Sequence, residues 1–278
     1  MLELFSKFLS EIGGNKQIRV NKNTLQEEIE LGQYRNMERS LRRANKILKL
    51  ELPEIDFEKF IKLGSLILDW DISNTDDKND YLWGGYQIHG FASALGSPSH
   101  FWDTYNSGNR AFKNNPNPKD EAIYEEFLPK LNYFHKSGHG DDGTFGCFLR
   151  EEGVYPCPIY FYDSGIWFPM NMSLDEYYES MMKCNAVYYW QYFYIDTDLI
   201  VEKLGNYKPI YEEYGAQYAT GPCPFLDLYK EGTLVTSAEG VLHQMKIIIK
   251  RFPKIFPSYD VNFFQERHNA LEEAISKL

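Results

Sequence analysis

The chain has 278 residues, of which 43% are hydrophobic and 25% are charged, so it can bury a sizeable core near the upper size limit of one domain. Its formal net charge of −11, from 40 acidic and 29 basic residues, argues against a nucleic-acid-binding protein. No apolar run reaches the roughly 18–20 residues that cross a bilayer, so we expect no membrane partner.

The N-terminal part predicts helices. Residues 1–12 are amphipathic, and a helix that docks on the body of the protein is the favoured interpretation, with a membrane-surface role as the alternative, because the polar face lacks a dense Lys/Arg cluster. Thr24 and Glu27 form a capping-box pattern that begins a predicted helix over residues 24–50. One face of this helix carries a basic row, for which a solvated surface is the favoured interpretation and a phosphate-binding or membrane role the alternative. The row comprises Arg35, Arg39, Arg42, Arg43 and Lys46.

Charge is unevenly distributed along the chain. Ten Lys and Arg against six Asp and Glu give residues 1–50 a charge of +4, so the other 228 residues carry −15. We expect this acidic body to suit a basic partner. Two further helices are predicted, over residues 56–68 and 120–135.

The central segment, residues 137–182, predicts a strand meander followed by a capped helix. A Gly/Asp-rich turn precedes predicted strands at residues 144–149, 157–162 and 166–169. Pro169 lacks an N–H group, which indicates an edge strand. Ser173 and Glu176 form an S-x-x-E capping box at the start of the helix.

This order of elements resembles the SUKH superfamily, which is named for a yeast regulator of cell-wall synthesis and includes many bacterial immunity proteins. The resemblance covers residues 128–182 and rests on the segments GHGDDGTFGCFL, PIYFYDSG and MSLDEYYESMM. It implies an α+β fold and a non-enzymatic binding protein. The chain departs from the family in its greater length and in lacking a clean early Leu-Pro and Asn-Gly turn.

The C-terminal part predicts helices over residues 237–252 and 262–277. Between these and the central segment, residues 186–195 form an aromatic run whose periodicity fits either a strand or a helix. Core packing is the favoured interpretation of the aromatic residues, and a carbohydrate-binding or cell-wall-associated module is an alternative.

We therefore predict an α+β fold with a small mixed or antiparallel sheet packed by helices and with helical extensions at both ends. The predicted boundaries are an N-terminal extension at residues 1–55, a SUKH-like core at 56–196 and a C-terminal extension at 197–278. Four cysteines without a C-x-x-C pair indicate a reducing environment, so we expect a cytoplasmic protein.

One segment combines metal-ligating residue types. His135, His139 and Asp141 lie within seven positions, and imidazole with carboxylate suits zinc or another divalent ion. The glycines around His139 break any helix, so the spacing differs from a helical H-E-x-x-H site. A metal-dependent hydrolase is therefore kept as an alternative, and neither a catalytic residue nor a cofactor is predicted.

The resemblance implies an immunity protein of a toxin–antitoxin pair, which would neutralise a bacterial toxin by occluding its active site. Carboxylates presented to the basic groove of a toxin, such as a nuclease, would provide electrostatic complementarity. The candidate partner-binding residues are Asp141, Asp142, Asp163, Asp175 and Glu176. Each also has a local interpretation as a turn former or helix cap.

Overall fold

The structure is a computed structural model that describes residues 2–23, 31–63, 66–72, 82–101, 126–137, 144–163, 166–204, 237–257 and 259–278. The described helices are α1 (Leu2–Gly14), α2 (Leu31–Leu48), α3 (Glu54–Leu63), α4 (Phe91–Gly96), α5 (Leu174–Lys183), α6 (Thr197–Leu204), α7 (Ala238–Ile255) and α8 (Asn262–Ile275). The described strands are β1 (Ile18–Asn23), β2 (Leu66–Ile72), β3 (Trp83–Ile88), β4 (Leu131–Ser137), β5 (Thr144–Leu149), β6 (Ile159–Asp163) and β7 (Ile166–Pro169).

The strands form one seven-stranded antiparallel sheet in which each strand lies beside its neighbour in sequence, in the order β1 to β7. This confirms the α+β class with helical extensions. The predicted meander corresponds to β5, β6 and β7, and Pro169 lies on the outermost strand, where its missing N–H group costs no ladder bond. These three strands are consecutive in sequence and lie within residues 144–169, which explains why local sequence sufficed here.

The two faces of β4 to β7 carry different apolar clusters. One face joins Phe101 and Leu128 to strand residues that include Cys147 and Trp167. On the other face, Phe134 and Phe148 stack with ring centroids 4.3 Å apart. The helices α4 and α5 cover this second face. The ring centroid of Phe91 on α4 lies 5.7 Å from that of Phe148, and the ring centroid of Tyr177 on α5 lies 5.1 Å from that of Phe134.

Two predicted helices were wrong at their C-terminal ends. Residues 131–135, predicted as helix, belong to β4, which pairs with β3 and β5. Residues 66–68, predicted to end the helix over 56–68, instead begin β2. In both places the spacing of the apolar residues fits the helical period and the strand period equally well over a few residues. These segments form strands because they pair with neighbouring strands of the sheet. Residues 120–125 and the Thr24/Glu27 capping box lie outside the described residues.

The chain divides into two compact units. Unit 1 comprises Met1–Glu11, Asn21–Asp69 and Gly85–Ala186, and unit 2 comprises Ile12–Val20, Trp70–Gly84 and Val187–Leu278. The predicted boundaries at residues 55/56 and 196/197 stay a prediction.

Unit 2 is built largely from α6, α7 and α8. Phe264 contacts Phe193 at 4.3 Å and Phe252 at 5.4 Å between ring centroids. The aromatic run over residues 186–195 contains a short 3-10 helix, Trp190–Phe193, and its aromatic residues from 188 to 193 are all buried. Their burial supports the interpretation of this run as core packing. Among the described helices, none is long and apolar enough to span a membrane.

Candidate functional site

A cleft of about 480 Å³ lies in unit 1 beside α3 and the start of α5. Its volume falls within the roughly 300–1,000 Å³ range of ligand-binding clefts. The apolar part of the lining is Phe60, Leu95, Phe148, Pro156, Cys157, Pro158, Met172 and Leu174. The polar part is Asp56, Lys59, Tyr155, Asn171, Ser173, Asp175 and Glu176. We call this site the α3–α5 cleft.

The α3 helix places Asp56, Lys59 and Phe60 on one face, because residues three and four positions apart are neighbours on a helix. Phe60 anchors this face in the core, where its ring stacks on Phe91 at 4.1 Å and 18°. Asp56 lies in the first turn of α3, where a carboxylate interacts favourably with the helix dipole. Anchoring by Phe60 therefore fixes one side of the cleft.

The first turn of α5 forms the opposite side. Glu176 accepts hydrogen bonds from the backbone N and the Oγ of Ser173, both at 2.7 Å, and its own N–H donates to Ser173 Oγ at 3.3 Å. These bonds confirm the predicted capping box. The bonds from Ser173 lower the pKa of Glu176 below its ordinary value, so this carboxylate is ionised at neutral pH.

Two side-chain contacts connect elements about 100 residues apart across the cleft. Tyr155 Oη donates to Asp56 Oδ2 at 2.7 Å, and Lys59 Nζ forms an ion pair with Asp175 Oδ1. Burial and the hydrogen bond to Asp56 raise the pKa of Tyr155, so its hydroxyl remains a donor at neutral pH. Burial raises the pKa of Cys157 to about 11, which keeps this thiol protonated and argues against a nucleophilic role.

Two exposed apolar residues adjoin residues of the cleft lining in sequence. Ile47, Ile55 and Val154 are 61%, 75% and 37% exposed, and they are three of the four exposed large hydrophobic residues found in the described part of the chain. Ile55 and Val154 immediately precede Asp56 and Tyr155, the two residues joined by the hydrogen bond described above.

The predicted partner-binding residues have different locations. Asp175 and Glu176 line the cleft. Asp163 ends β6 and is only 1% exposed, so its carboxylate has no surface through which to contact a partner and we do not retain it as a candidate. Asp141 and Asp142 lie outside the described residues.

Sequence reasoning missed Asp56, Lys59 and Tyr155. Asp56 and Lys59 lie about 100 or more positions before the residues they contact, and Tyr155 occupies a turn whose local pattern indicated nothing beyond a loop. The only sequence feature that could have pointed to Asp56 was the acidic first turn of the predicted helix that corresponds to α3.

The metal-site alternative gains no support from His135. This imidazole is buried, its Nδ1 lies 2.7 Å from Tyr177 Oη, and burial lowers its pKa to about 3. His139 and Asp141 lie outside the described residues, and within the described ones no three His, Cys, Asp or Glu side chains are grouped so that they could hold a metal ion.

The three described cysteines, Cys147, Cys157 and Cys184, are free and buried. Comparison of the chain with protein-family models, with curated proteins and with solved structures found no significant match.

Proposed function

We propose that this protein is a non-enzymatic binding protein, an immunity protein that neutralises a bacterial toxin by occluding the toxin's active site. The observation that carries the proposal is the α3–α5 cleft, whose lining combines eight apolar residues with three carboxylates. Apolar surface combined with polar and charged groups is typical of protein–protein interfaces.

Charge supports a basic partner. The chain carries a net charge of −11, and the cleft lining contains Asp56, Asp175 and Glu176 against Lys59. A toxin that binds phosphate groups, such as a nuclease, presents a basic groove, and opposite charges accelerate association and orient the two surfaces. The resemblance of residues 128–182 to the SUKH superfamily supports the same class of partner. An immunity protein of this kind would act in the cytoplasm.

Co-expression tests the proposal. The toxin encoded beside this protein would be produced in a bacterial host with and without the full chain, and survival and complex formation would be measured. We expect protection and a stoichiometric complex whose affinity falls as salt concentration rises, because salt screens exposed charges. A neighbouring toxin that kills equally in both strains and forms no complex would refute the proposal.

A further inference from the structure

Each of the three cleft carboxylates is held by one oxygen and keeps the other oxygen available. Asp56 Oδ2 accepts from Tyr155, Asp175 Oδ1 pairs with Lys59, and Glu176 Oε2 accepts twice from Ser173. Within the described residues, no hydrogen bond or ion pair uses Asp56 Oδ1, Asp175 Oδ2 or Glu176 Oε1. The cleft lining therefore presents three acceptor oxygens on carboxylates that are each held by a bond through the other oxygen, and such acceptors suit a ligand with several donors.

The charge of this lining is not neutralised within the cleft. Three carboxylates face the single ammonium group of Lys59 among the lining residues, which leaves an excess of negative charge. The described part of the chain contains no group of acidic, His or Cys side chains arranged to hold a metal ion, which argues against a divalent cation here. An organic cation fits better, because it can match the excess negative charge and the apolar lining together.

The apolar lining restricts the kind of organic cation. Phe60 and Phe148 are buried side chains of the lining, and Leu174 is half-buried beside the carboxylates. A ligand with an apolar stem and a charged head would cover this lining while its head reaches the acceptors. Arginine has such a stem, five N–H donors in a planar fork and a guanidinium that stacks on aromatic rings.

We infer that the α3–α5 cleft binds an arginine side chain of the partner protein, with its guanidinium on Asp56, Asp175 and Glu176 and its stem against the apolar lining. This inference rests on the proposed function and names the partner group that the cleft recognises. The exposed Ile55 and Val154 lie next in sequence to Asp56 and Tyr155, so the arginine is expected to be flanked by apolar residues.

A pair of matched peptides tests the inference without knowledge of the toxin. The probe is acetyl-Gly-Leu-Arg-Leu-Gly-amide, and its control replaces arginine with citrulline, which has nearly the same shape and no charge. Binding to the full chain would be measured by NMR titration. We expect the citrulline peptide to bind about tenfold or more weakly, because it loses charge-assisted hydrogen bonds. Equal binding of the two peptides, or no binding of either, would overturn the inference.

Protein variants locate the binding. Asp56→Asn and Asp175→Asn keep side-chain shape and should weaken arginine-peptide binding about tenfold each. Lys59→Gln should strengthen it, because it removes the competing positive charge, and damage to the fold would not produce that increase. Glu179→Gln is the matched control, since Glu179 is exposed on α5 and does not line the cleft. Unchanged binding in the two Asn variants would assign the peptide to another surface and overturn the inference.

Measurements of toxin binding and of cell protection distinguish a failure of this inference from a failure of the proposed function. If the wild-type chain protects cells and Asp56→Asn and Asp175→Asn bind the toxin with wild-type affinity, the cleft assignment fails and the immunity proposal stands. If the cleft selects the arginine peptide and no toxin is bound, the immunity proposal fails and the cleft assignment stands. Thermal unfolding of each variant checks that it is folded.

Discussion

Replacing Gly146 with alanine should destabilise the protein, because the new Cβ would lie 2.4 Å from Tyr177 Oη and 2.9 Å from Tyr177 Cζ. Gly146 lies in the middle of β5, opposite His135 on β4 and Phe161 on β6. Tyr177 cannot easily move away, since it is fully buried and its hydroxyl lies 2.7 Å from His135 Nδ1.

The magnitude follows from the overlap. Ordinary van der Waals contacts of a Cβ atom begin at 3.4 Å, so Tyr177 Oη must move by about 1 Å to make room for the methyl group. Overpacking of this kind costs about 1–3 kcal/mol. Displacing the hydroxyl also weakens its hydrogen bond with buried His135, at about 1–3 kcal/mol. In the opposite direction, alanine lowers the conformational entropy of the unfolded chain, which stabilises the folded protein by about 0.4–1 kcal/mol. We expect a net loss of about 1–6 kcal/mol.

Urea unfolding followed by circular dichroism measures this loss. Gly13→Ala is the matched control, because a Cβ at Gly13 would meet no atom within 4 Å and Gly13 lies in α1. The same chemical change should therefore stabilise the protein there, by about 0.4–1 kcal/mol. Opposite signs at the two glycines would show that local space decides the outcome.

A double-mutant cycle identifies the cause. Tyr177→Phe removes the atom nearest to the added Cβ, so Gly146→Ala should cost at least about 1 kcal/mol less in this background than in the wild type. Overlap with Tyr177 would be refuted as the cause if the free energy of unfolding of Gly146→Ala lay within about 0.5 kcal/mol of wild type, or if the cost of the substitution were the same with and without the Tyr177 hydroxyl.

Three other predictions concern stability. Gly85→Ala should destabilise more than Gly146→Ala, shown by a lower urea midpoint, because Gly85 has φ +145° and its Cβ would lie 2.3 Å from the backbone oxygen of Leu68. Burial lowers the pKa of His135 from 6.5 to about 3, so below pH 6.5 only the unfolded state gains a proton. The free energy of unfolding should therefore decrease by up to about 1.4 kcal/mol for each unit that the pH is lowered between 6.5 and about 3. NMR of the folded protein should show a neutral His135 imidazole from pH 5 to 8. Ser173→Ala should lower the urea midpoint of unfolding at pH 7, because it removes the Ser173 hydroxyl that bonds to ionised Glu176. The difference in midpoint between the variant and the wild type should narrow as the pH falls through the folded-state pKa of Glu176, which lies below 4.5. A constant difference, or a titrating His135, would contradict these expectations.

Sequence predicted the segments whose structure depends on near neighbours. The capping box of Ser173 and Glu176 spans three residues, and the side-chain bonds that form it need no distant partner. The strands β5 to β7 are consecutive and lie within residues 144–169, so their alternation and turn residues were sufficient. The helices α7 and α8 carried apolar residues at helical spacing over more than ten positions, which a strand cannot satisfy.

Tertiary structure decided β4 and the cleft. The apolar spacing of residues 131–135 fits a helix as well as a strand, and β4 forms because β3 and β5 supply hydrogen-bonding partners on both sides. Sequence singled out Asp175 and Glu176 as acidic residues, but it also proposed Asp163, which the fold buries. The contacts of Tyr155 with Asp56 and of Lys59 with Asp175 join segments 99 and 116 positions apart. Local patterns carry no information about such distant pairs, because only packing of the whole unit brings them together.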